Sequence, residues 1–344
     1  MKMIMNLENR TNEFDVSLIQ KVYGNMTGPL NIMWDITNAC NLNCRHCYNR
    51  SGKGRKYEDL TDEEMLMQVD FIIELLPRVV CFCGGEPLLR YNLLPKIANK
   101  LSNAGITVNM VTNGLLLNEE KIDTLVSNGL SSFQISLDSH KKETHDYFRG
   151  FNGAYDGALK AIELLISKDM TPDVTFIPTR VNYRDLEGLV EMLYLKGVRR
   201  IGSMPLIPIG RGYENKGELL MSDEELLEFY QIINKLRTKM PDFKIEYDDP
   251  LEHITLFTNN KVAKTAVFEI RSNGDIVVSS YLPLIYGNVL KNDMVSLWKS
   301  GLKDVWRDSR VVEISRKIKT LDDFLVLTPK PWNNEDIDVS CNHV

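Results

Sequence analysis

The sequence lacks the features that mark membrane-spanning and exported proteins. No apolar stretch approaches the roughly 18–20 residues needed to span a bilayer. The N-terminus shows no apolar core of a signal peptide before its charged residues resume. These absences predict a cytoplasmic protein without a membrane partner, in a compartment where thiols stay reduced.

Basic residues are not in excess, which bears on the partners of the chain. The 344 residues include 41 Lys and Arg against 47 Asp and Glu, giving a formal net charge of −6. Nucleic-acid-binding proteins usually carry a basic balance, so we expect no nucleic-acid partner. A local basic run is interpreted as a solvated loop, with an acidic peptide or a phosphate as its alternative ligand. The run comprises Arg50, Lys53, Arg55 and Lys56.

Cysteine is scarce, and three of the six cysteines form one tight run, Cys40-x3-Cys44-x2-Cys47. Thiolates are the ligands of soft iron sites, and closely spaced cysteines commonly hold iron–sulfur clusters. Three ligands leave one iron of a four-iron cluster open to bind another molecule. The alternatives are unrelated thiols or part of a zinc knuckle. Zinc would require a fourth ligand at the usual spacing, whereas His46 lies between the cysteines and the next histidine is His140.

Strand-like and helix-like segments alternate between residues 31 and 211. The predicted strands are Asn31–Thr37, Arg78–Cys83, Thr107–Thr112, Ser132–Leu137, Asp173–Pro178 and Arg199–Met204. Helix-like segments begin near Thr61, Tyr91, Asn118, Ala154 and Tyr183. Such alternation predicts an α/β fold with a parallel sheet and right-handed crossovers. The three-cysteine run follows the first strand, at the end where α/β sheets carry their chemistry.

A second motif, Gly84-Gly85-Glu86-Pro87, directly follows the second predicted strand. Two glycines permit close backbone approach to a ligand, and a glutamate supplies a carboxylate for an ammonium group. The alternative interpretation is an ordinary turn between a strand and a helix.

The two motifs in this order resemble those of the radical S-adenosylmethionine (SAM) enzymes. The resemblance implies a partial (β/α)6 barrel with one [4Fe–4S] cluster on Cys40, Cys44 and Cys47. It also implies that SAM chelates the open iron through its methionine end. The Gly84–Pro87 motif would bind the amino group of SAM.

Further residues match the family pattern at the ends of later strands. They are Asn113 after the third strand, Ser136 and Asp138 at the end of the fourth, and Arg149 in the segment that follows. The resemblance implies that Ser136 and Asp138 meet the hydroxyl- and carboxylate-bearing end of SAM, and that Arg149 meets the SAM carboxylate. An arginine in a surface loop is the alternative for Arg149. A glycine-rich segment at residues 209–212 also resembles the peptide-modifying subfamily, and we assign it no chemistry.

The region after residue 215 resembles the SPASM or twitch extension of these enzymes but lacks its cluster ligands. Ser279 stands where a cysteine is expected, and no cysteine occurs between Cys83 and Cys341. Cys81 and Cys83 share one face of a strand and are interpreted as core thiols. We therefore predict a single cluster. Cys341 is either an inert thiol or a hydrogen-atom donor to a substrate radical.

The predicted organisation is an N-terminal extension (1–30), a radical SAM partial barrel (31–215), a degenerate twitch-like α+β region (216–328) and a loose tail (329–344). The resemblance implies reductive cleavage of SAM to a 5′-deoxyadenosyl radical that removes a hydrogen atom from substrate. The favoured substrate is a ribosomally made peptide that becomes crosslinked, epimerised or otherwise modified. Alternatives are a small-molecule or cofactor-biosynthetic enzyme and a non-catalytic cluster protein. Flavodoxin or ferredoxin would supply the electron.

Overall fold

A computed structural model describes residues 26–53, 58–259, 264–282, 284–327 and 337–339. These residues build one eleven-stranded sheet with helices packed on it. The strands are β1 (Asn31–Thr37), β2 (Val79–Gly84), β3 (Thr107–Thr112), β4 (Leu130–Ser136), β5 (Asp173–Phe176), β6 (Arg200–Ser203), β7 (Lys244–Tyr247), β8 (Val267–Ile270), β9 (Asp275–Val277), β10 (Leu284–Asn288) and β11 (Ile337–Asp338).

The helices follow the strands in near alternation as far as β7. They are α1 (Asp62–Leu75), α2 (Leu94–Asn103), α3 (Glu119–Ser127), α4 (Lys142–Arg149), α5 (Ala154–Ser167), α6 (Leu186–Leu195), α7 (Arg211–Glu214), α8 (Lys216–Leu219), α9 (Asp223–Lys239), α10 (Pro250–Thr258), α11 (Met294–Ser300), α12 (Ser309–Lys317) and α13 (Leu321–Leu327). Short 3-10 turns occupy Pro87–Arg90, Tyr183–Asp185 and Leu302–Arg307. None of the helices in the described part of the chain has both the length and the apolar character that a bilayer span requires.

The sheet is parallel from β1 to β7, as the alternation predicts. Every consecutive pair of strands from β1–β2 to β6–β7 is hydrogen-bonded in parallel. β8 joins the other edge of β1, also in parallel, and β9 and β10 follow by antiparallel pairing. The C-terminal part of the chain thus extends the same sheet, and β1 lies in its interior with a partner on each side.

Alternation along β1 explains how one strand serves both the core and the interior of the barrel. Ile32, Trp34 and Ile36 are fully buried and belong to the apolar core beneath the helices. Met33 and Asp35 point to the opposite face because successive strand residues alternate. Met33 lines a large cavity on that face. The first strand therefore supplies both the core and a cavity wall.

Helix boundaries follow local capping signals where the sequence carries them. Thr61 and Glu64 form a capping box at the start of α1, and Ser222 with Glu225 forms another at the start of α9. Near the C-terminal end of the sheet, Gly301 separates α11 from the 3-10 turn at Leu302–Arg307. Helix α4 was not among the predicted helices. Residues 337–338 of the predicted loose tail form β11 on β10, which corrects that prediction for these two residues.

Candidate active site

The three-cysteine run forms a loop beyond β1 whose backbone is held by two later segments. Arg45 N donates to Phe148 O at the end of α4, over 2.9 Å. Arg211 N donates to Cys47 O over 2.8 Å, and its guanidinium Nε donates to Cys44 O over 2.7 Å. Arg211 is buried, so these bonds are shielded from water. The loop conformation therefore depends on α4 and on the segment at residues 209–212.

The thiols of Cys40, Cys44 and Cys47 line one cavity of about 870 Å³. Burial raises the pKa of Cys40 to about 12, and the charges of Cys44 and Cys47 add smaller upward contributions. Burial also raises the pKa of Cys44, and the Arg149 guanidinium, with Nη1 3.9 Å from Cys44 Sγ, opposes that effect. Isolated thiolates of Cys40 and Cys44 are therefore disfavoured, and a bound metal centre would offset that penalty.

Gly84 and Gly85 line the same cavity and also let the β2 turn pack against the cysteine loop. A Cβ on Gly85 would lie 2.0 Å from Ala39 O, and one on Gly84 would lie 2.4 Å from Thr37 O. Gly85 N donates to Thr37 O over 2.7 Å. Glycine is required at both positions because the two backbones approach so closely.

Glu86 is fully buried and joins the end of β2 to the end of β3. Its carboxylate accepts hydrogen bonds from Leu88 N at 3.1 Å, Thr112 Oγ1 at 2.8 Å and Asn113 N at 2.9 Å. The cavity-lining residues in the described ranges include neither Glu86 nor Pro87, the first residue of a 3-10 turn. Burial raises the pKa of Glu86, and these donors oppose that effect. The carboxylate is engaged with protein donors, so the backbone of the two glycines is the part of this motif that meets the cavity.

The predicted SAM-contact residues at the ends of β3 and β4 divide into two groups. Asn113, Ser136 and Arg149 line the cavity, whereas Asp138 lies behind it, fully buried. Asp138 Oδ2 accepts from both Nε and Nη2 of Arg149 over 2.6 Å, and Asp138 Oδ1 accepts from Ile177 N over 3.1 Å. This paired contact fixes the planar guanidinium at the cavity wall. Asp138 therefore positions Arg149.

Residues from the C-terminal part of the chain complete the cavity. We call the cavity-lining residues between 247 and 281 the C-terminal wall; they are Tyr247, Asp248, Asp249, His253, Thr255, Asn259, Val267, Phe268, Glu269, Val278, Ser279, Ser280 and Tyr281. Sequence reasoning expected the C-terminal region to close the barrel but named none of these wall residues, and it missed the loop contacts of Arg211. One signal was available, because Glu269 is a charged residue in an otherwise apolar strand.

The remaining cysteines occupy different positions. Cys81 Sγ and Cys83 Sγ lie 3.5 Å apart on β2, and Cys83 lines the cavity. Ser279, at the expected position of an auxiliary-cluster ligand, also lines the cavity. Cys341 lies outside the described residues. Within the described ranges, no group of three or more His, Cys, Asp or Glu side chains is arranged to hold a single metal ion.

Comparison with known proteins identifies the class to which this site belongs. Residues 34–193 match the model of the radical SAM superfamily. This stretch is a radical SAM domain, and the similarity to radical SAM enzymes supports an enzyme whose reaction subclass is uncertain. A radical SAM domain implies a [4Fe–4S] cluster and SAM as cofactors.

Individual relatives carry out different reactions. The AdoMet-dependent heme synthase of Methanosarcina barkeri is 27% identical over 304 residues, which cover 82% of this chain and 85% of the relative. The PqqA peptide cyclase of Granulibacter bethesdensis is 29% identical over 198 residues, covering 58% of this chain and 53% of the relative. The structure of Streptococcus suis SuiB bound to precursor peptide SuiA covers 91% of this chain and 72% of SuiB, with a TM-score of 0.61 at 18% identity. At that identity the likeness to SuiB concerns the fold.

Proposed function

We propose that this enzyme holds one [4Fe–4S] cluster on Cys40, Cys44 and Cys47 and uses it with SAM to modify a ribosomally made peptide. The proposed use of a cluster with SAM is supported by one observation, namely that residues predicted from separate motifs meet at one cavity. Cys40, Cys44, Cys47, Gly84, Gly85, Asn113, Ser136 and Arg149 all line it. Its volume of about 870 Å³ lies near the upper end of the usual range for ligand sites. Space for a cofactor and part of a substrate is consistent with the proposal.

The side chains of this chain would orient SAM rather than react with it. When bound, the cluster and SAM supply a 5′-deoxyadenosyl radical that removes a hydrogen atom from an unactivated C–H bond. Arg149, fixed by Asp138, presents a guanidinium to a ligand carboxylate. Ser136 makes no side-chain hydrogen bond within the described residues, so its hydroxyl is available to a ligand. Leu42 and Ile177 line the cavity with apolar surface and limit the access of water.

The charge of the C-terminal wall favours a peptide over a tetrapyrrole. The wall carries Asp248, Asp249 and Glu269. Haem precursors carry several carboxylates, and like charges disfavour their approach to such a wall. A peptide offers cationic and neutral groups, and SuiB is a structural neighbour solved with its peptide. We place this reaction in the cytoplasm, with flavodoxin or ferredoxin as the electron donor.

A second candidate is a cofactor-biosynthetic reaction on a small molecule. It is favoured by the similarity to the haem synthase, which extends over 85% of that relative. The two candidates differ in substrate and share the same use of the cluster and SAM.

The test is an anaerobic reaction of the reconstituted enzyme with SAM, a reductant and the short peptide encoded by a neighbouring gene. Mass spectrometry should show the loss of two hydrogens for a crosslink or the uptake of solvent deuterium for an epimerisation. An unchanged peptide together with a modified iron–coproporphyrin would establish the second candidate. No 5′-deoxyadenosine with any substrate would contradict radical SAM catalysis and favour the non-catalytic alternative.

A further inference from the structure

We infer that the C-terminal wall binds a cationic nitrogen group of the substrate, an ammonium or a guanidinium. The inference rests on the proposed function in one respect, because it takes the cavity to be the substrate cavity. It adds a chemical class of substrate that neither the family nor the relatives specify. The residues proposed to contact this group are Glu269, Asp248 and Tyr281.

Charge is divided unevenly between the parts of the cavity surface. The lining arginines in the described ranges, Arg149 and Arg211, come from the segments around the cysteine loop. The C-terminal wall contributes three carboxylates and no lysine or arginine. Its histidine, His253, is neutral near physiological pH because burial lowers its pKa to about 4. A ligand that spans the cavity therefore meets positive charge at one part and negative charge at the other.

Glu269 supplies an unsatisfied acceptor in this wall. The side chain lines the cavity, and the residue is only 2% exposed. Its Oε2 accepts from the Ser280 hydroxyl, whereas its Oε1 has no hydrogen-bond partner. A buried acceptor without a donor carries the full cost of its desolvation, and a cationic donor from a ligand would remove that cost.

The groups behind Glu269 leave this region acidic. Asp35 is fully buried, accepts from Asn49 Nδ2 over 2.7 Å, and has no hydrogen-bond partner at Oδ1. Its carboxylate interacts with that of Glu269, and each pKa is raised mainly by burial. Arg271 opposes the upward shift of the pKa at both groups. The cavity-lining set includes Glu269 and omits Arg271, so a ligand meets the acid.

Asp248 and Tyr281 extend the acidic surface towards the end of β7. The Asp248 carboxylate accepts no hydrogen bond within the described residues, and the nearby Arg200 is already paired with Asp173 and Glu246. Burial raises the pKa of the Tyr281 phenol, and Asp248, Glu269 and Asp249 raise it further. Tyr281 is therefore neutral, and its ring, which contacts His253 edge to face at a centroid distance of 5.6 Å, lines the cavity beside these carboxylates, where it can add a cation–π contact.

The experiment measures the binding of agmatine, a small guanidinium probe with a second cationic end, to anaerobically reconstituted enzyme with SAM bound. Butylurea serves as the uncharged comparison. Glu269→Gln should weaken agmatine binding about ten-fold, the loss of one buried charge-assisted contact. Asp248→Asn should weaken it about three-fold, because that carboxylate is exposed to solvent. The matched control is Asp242→Asn, an exposed carboxylate outside the cavity lining.

The inference is supported if agmatine binds more tightly than butylurea and if Glu269→Gln and Asp248→Asn, unlike the control, weaken the binding of agmatine. Equal binding of the two probes, or equal weakening by the control, would overturn the inference. Should Glu269→Gln fail to fold, Asp248→Asn still decides, since Asp248 makes no side-chain hydrogen bond that the substitution could break. Formation of 5′-deoxyadenosine by the wild-type enzyme is measured in parallel, so a failure of the proposed function remains distinguishable from a failure of this inference.

Discussion

Four buried carboxylates near the cavity differ in how fully protein donors satisfy them, and this difference separates their roles. Glu86 accepts from three donors and joins two strand ends. Asp138 accepts two guanidinium bonds and one backbone bond, so it holds Arg149. Asp35 and Glu269 each keep one oxygen without a partner. The satisfied pair stabilises the site, and the unsatisfied pair is available for charge-dependent chemistry.

The raised pKa of Asp35 predicts a pH-dependent loss of stability. As pH rises, a carboxyl group whose pKa is raised in the folded chain stays protonated at pH values where the same group in the unfolded chain is already ionised. Stability therefore falls as pH rises above about 3.9, the ordinary value for Asp. Asp35→Asn removes this titration, so the decrease in unfolding free energy between about pH 5 and about pH 8 should be smaller in the variant than in the wild type.

Urea unfolding of the wild type and of Asp35→Asn at several pH values measures this effect. Asp242→Asn, on the surface, is the control for loss of a carboxylate and should leave the pH profile unchanged. Identical profiles for the wild type and Asp35→Asn would show that Asp35 is ionised in the folded chain throughout this range.

At the scale of elements, the sequence predicted the strands better than their contacts. β1 and β3 lie where alternation placed them, because their apolar residues are bounded by clear turn signals. Helix α4 escaped prediction because five of its eight residues, Lys142–Arg149, are charged or histidine, and buried packing of His145 and Phe148 overrides the weak pattern. The pairing of β8 with β1 joins segments more than 200 residues apart, which no local periodicity encodes.

The candidate site was predictable only where motifs carry it. The cysteine run, the two glycines, Asn113 and Ser136 were found from short motifs, and these residues line the cavity. Short motifs do not show that the Glu86 carboxylate is already hydrogen-bonded, or that Asp138 lies behind Arg149. Both facts depend on partners that come from other parts of the chain. The C-terminal wall depends on long-range pairing in the same way.

Close packing of the β2 turn against the cysteine loop predicts that Gly85→Ala disrupts both. The added Cβ would lie 2.0 Å from Ala39 O, so one backbone must move. We expect a loss of about 2 kcal/mol or more in unfolding free energy and a lower iron content after reconstitution. Gly217→Ala is the matched control, since a Cβ there meets nothing within 4 Å. Equal stability and iron content in the two variants would contradict this packing argument.

The contacts of Arg211 predict a second element-scale effect. Arg211→Met keeps much of the side-chain volume but removes the guanidinium bond to Cys44 O. The loop should become less well ordered, so we expect faster loss of iron to a chelator, with stability in urea reduced by about 1–3 kcal/mol. The control is Arg184→Met, whose exposed guanidinium pairs with Glu228. Chelation rates that match between the two variants would show that Arg211 does not hold the loop.

At the scale of the whole molecule, one sheet carries both the radical SAM domain and the C-terminal wall. The boundary predicted at residue 215 therefore separates two parts of one sheet, since β7 extends the sheet beyond β6 and β8 pairs with β1. The parts also share the cavity, to which each contributes lining residues. This arrangement couples the cofactor residues to the wall that we assign to the substrate.

The central claim is that Cys40, Cys44 and Cys47 hold the only cluster of this chain. The measurement that tests it most directly is iron and sulfide content, with electron paramagnetic resonance, of anaerobically reconstituted wild type and Cys→Ala variants. We expect about four irons per chain in one [4Fe–4S] cluster. We also expect loss of the cluster when any one of the three cysteines is replaced, and retention of the cluster in Cys81→Ala and Cys83→Ala. About eight irons per chain, or a cluster that survives Cys44→Ala, would contradict this assignment.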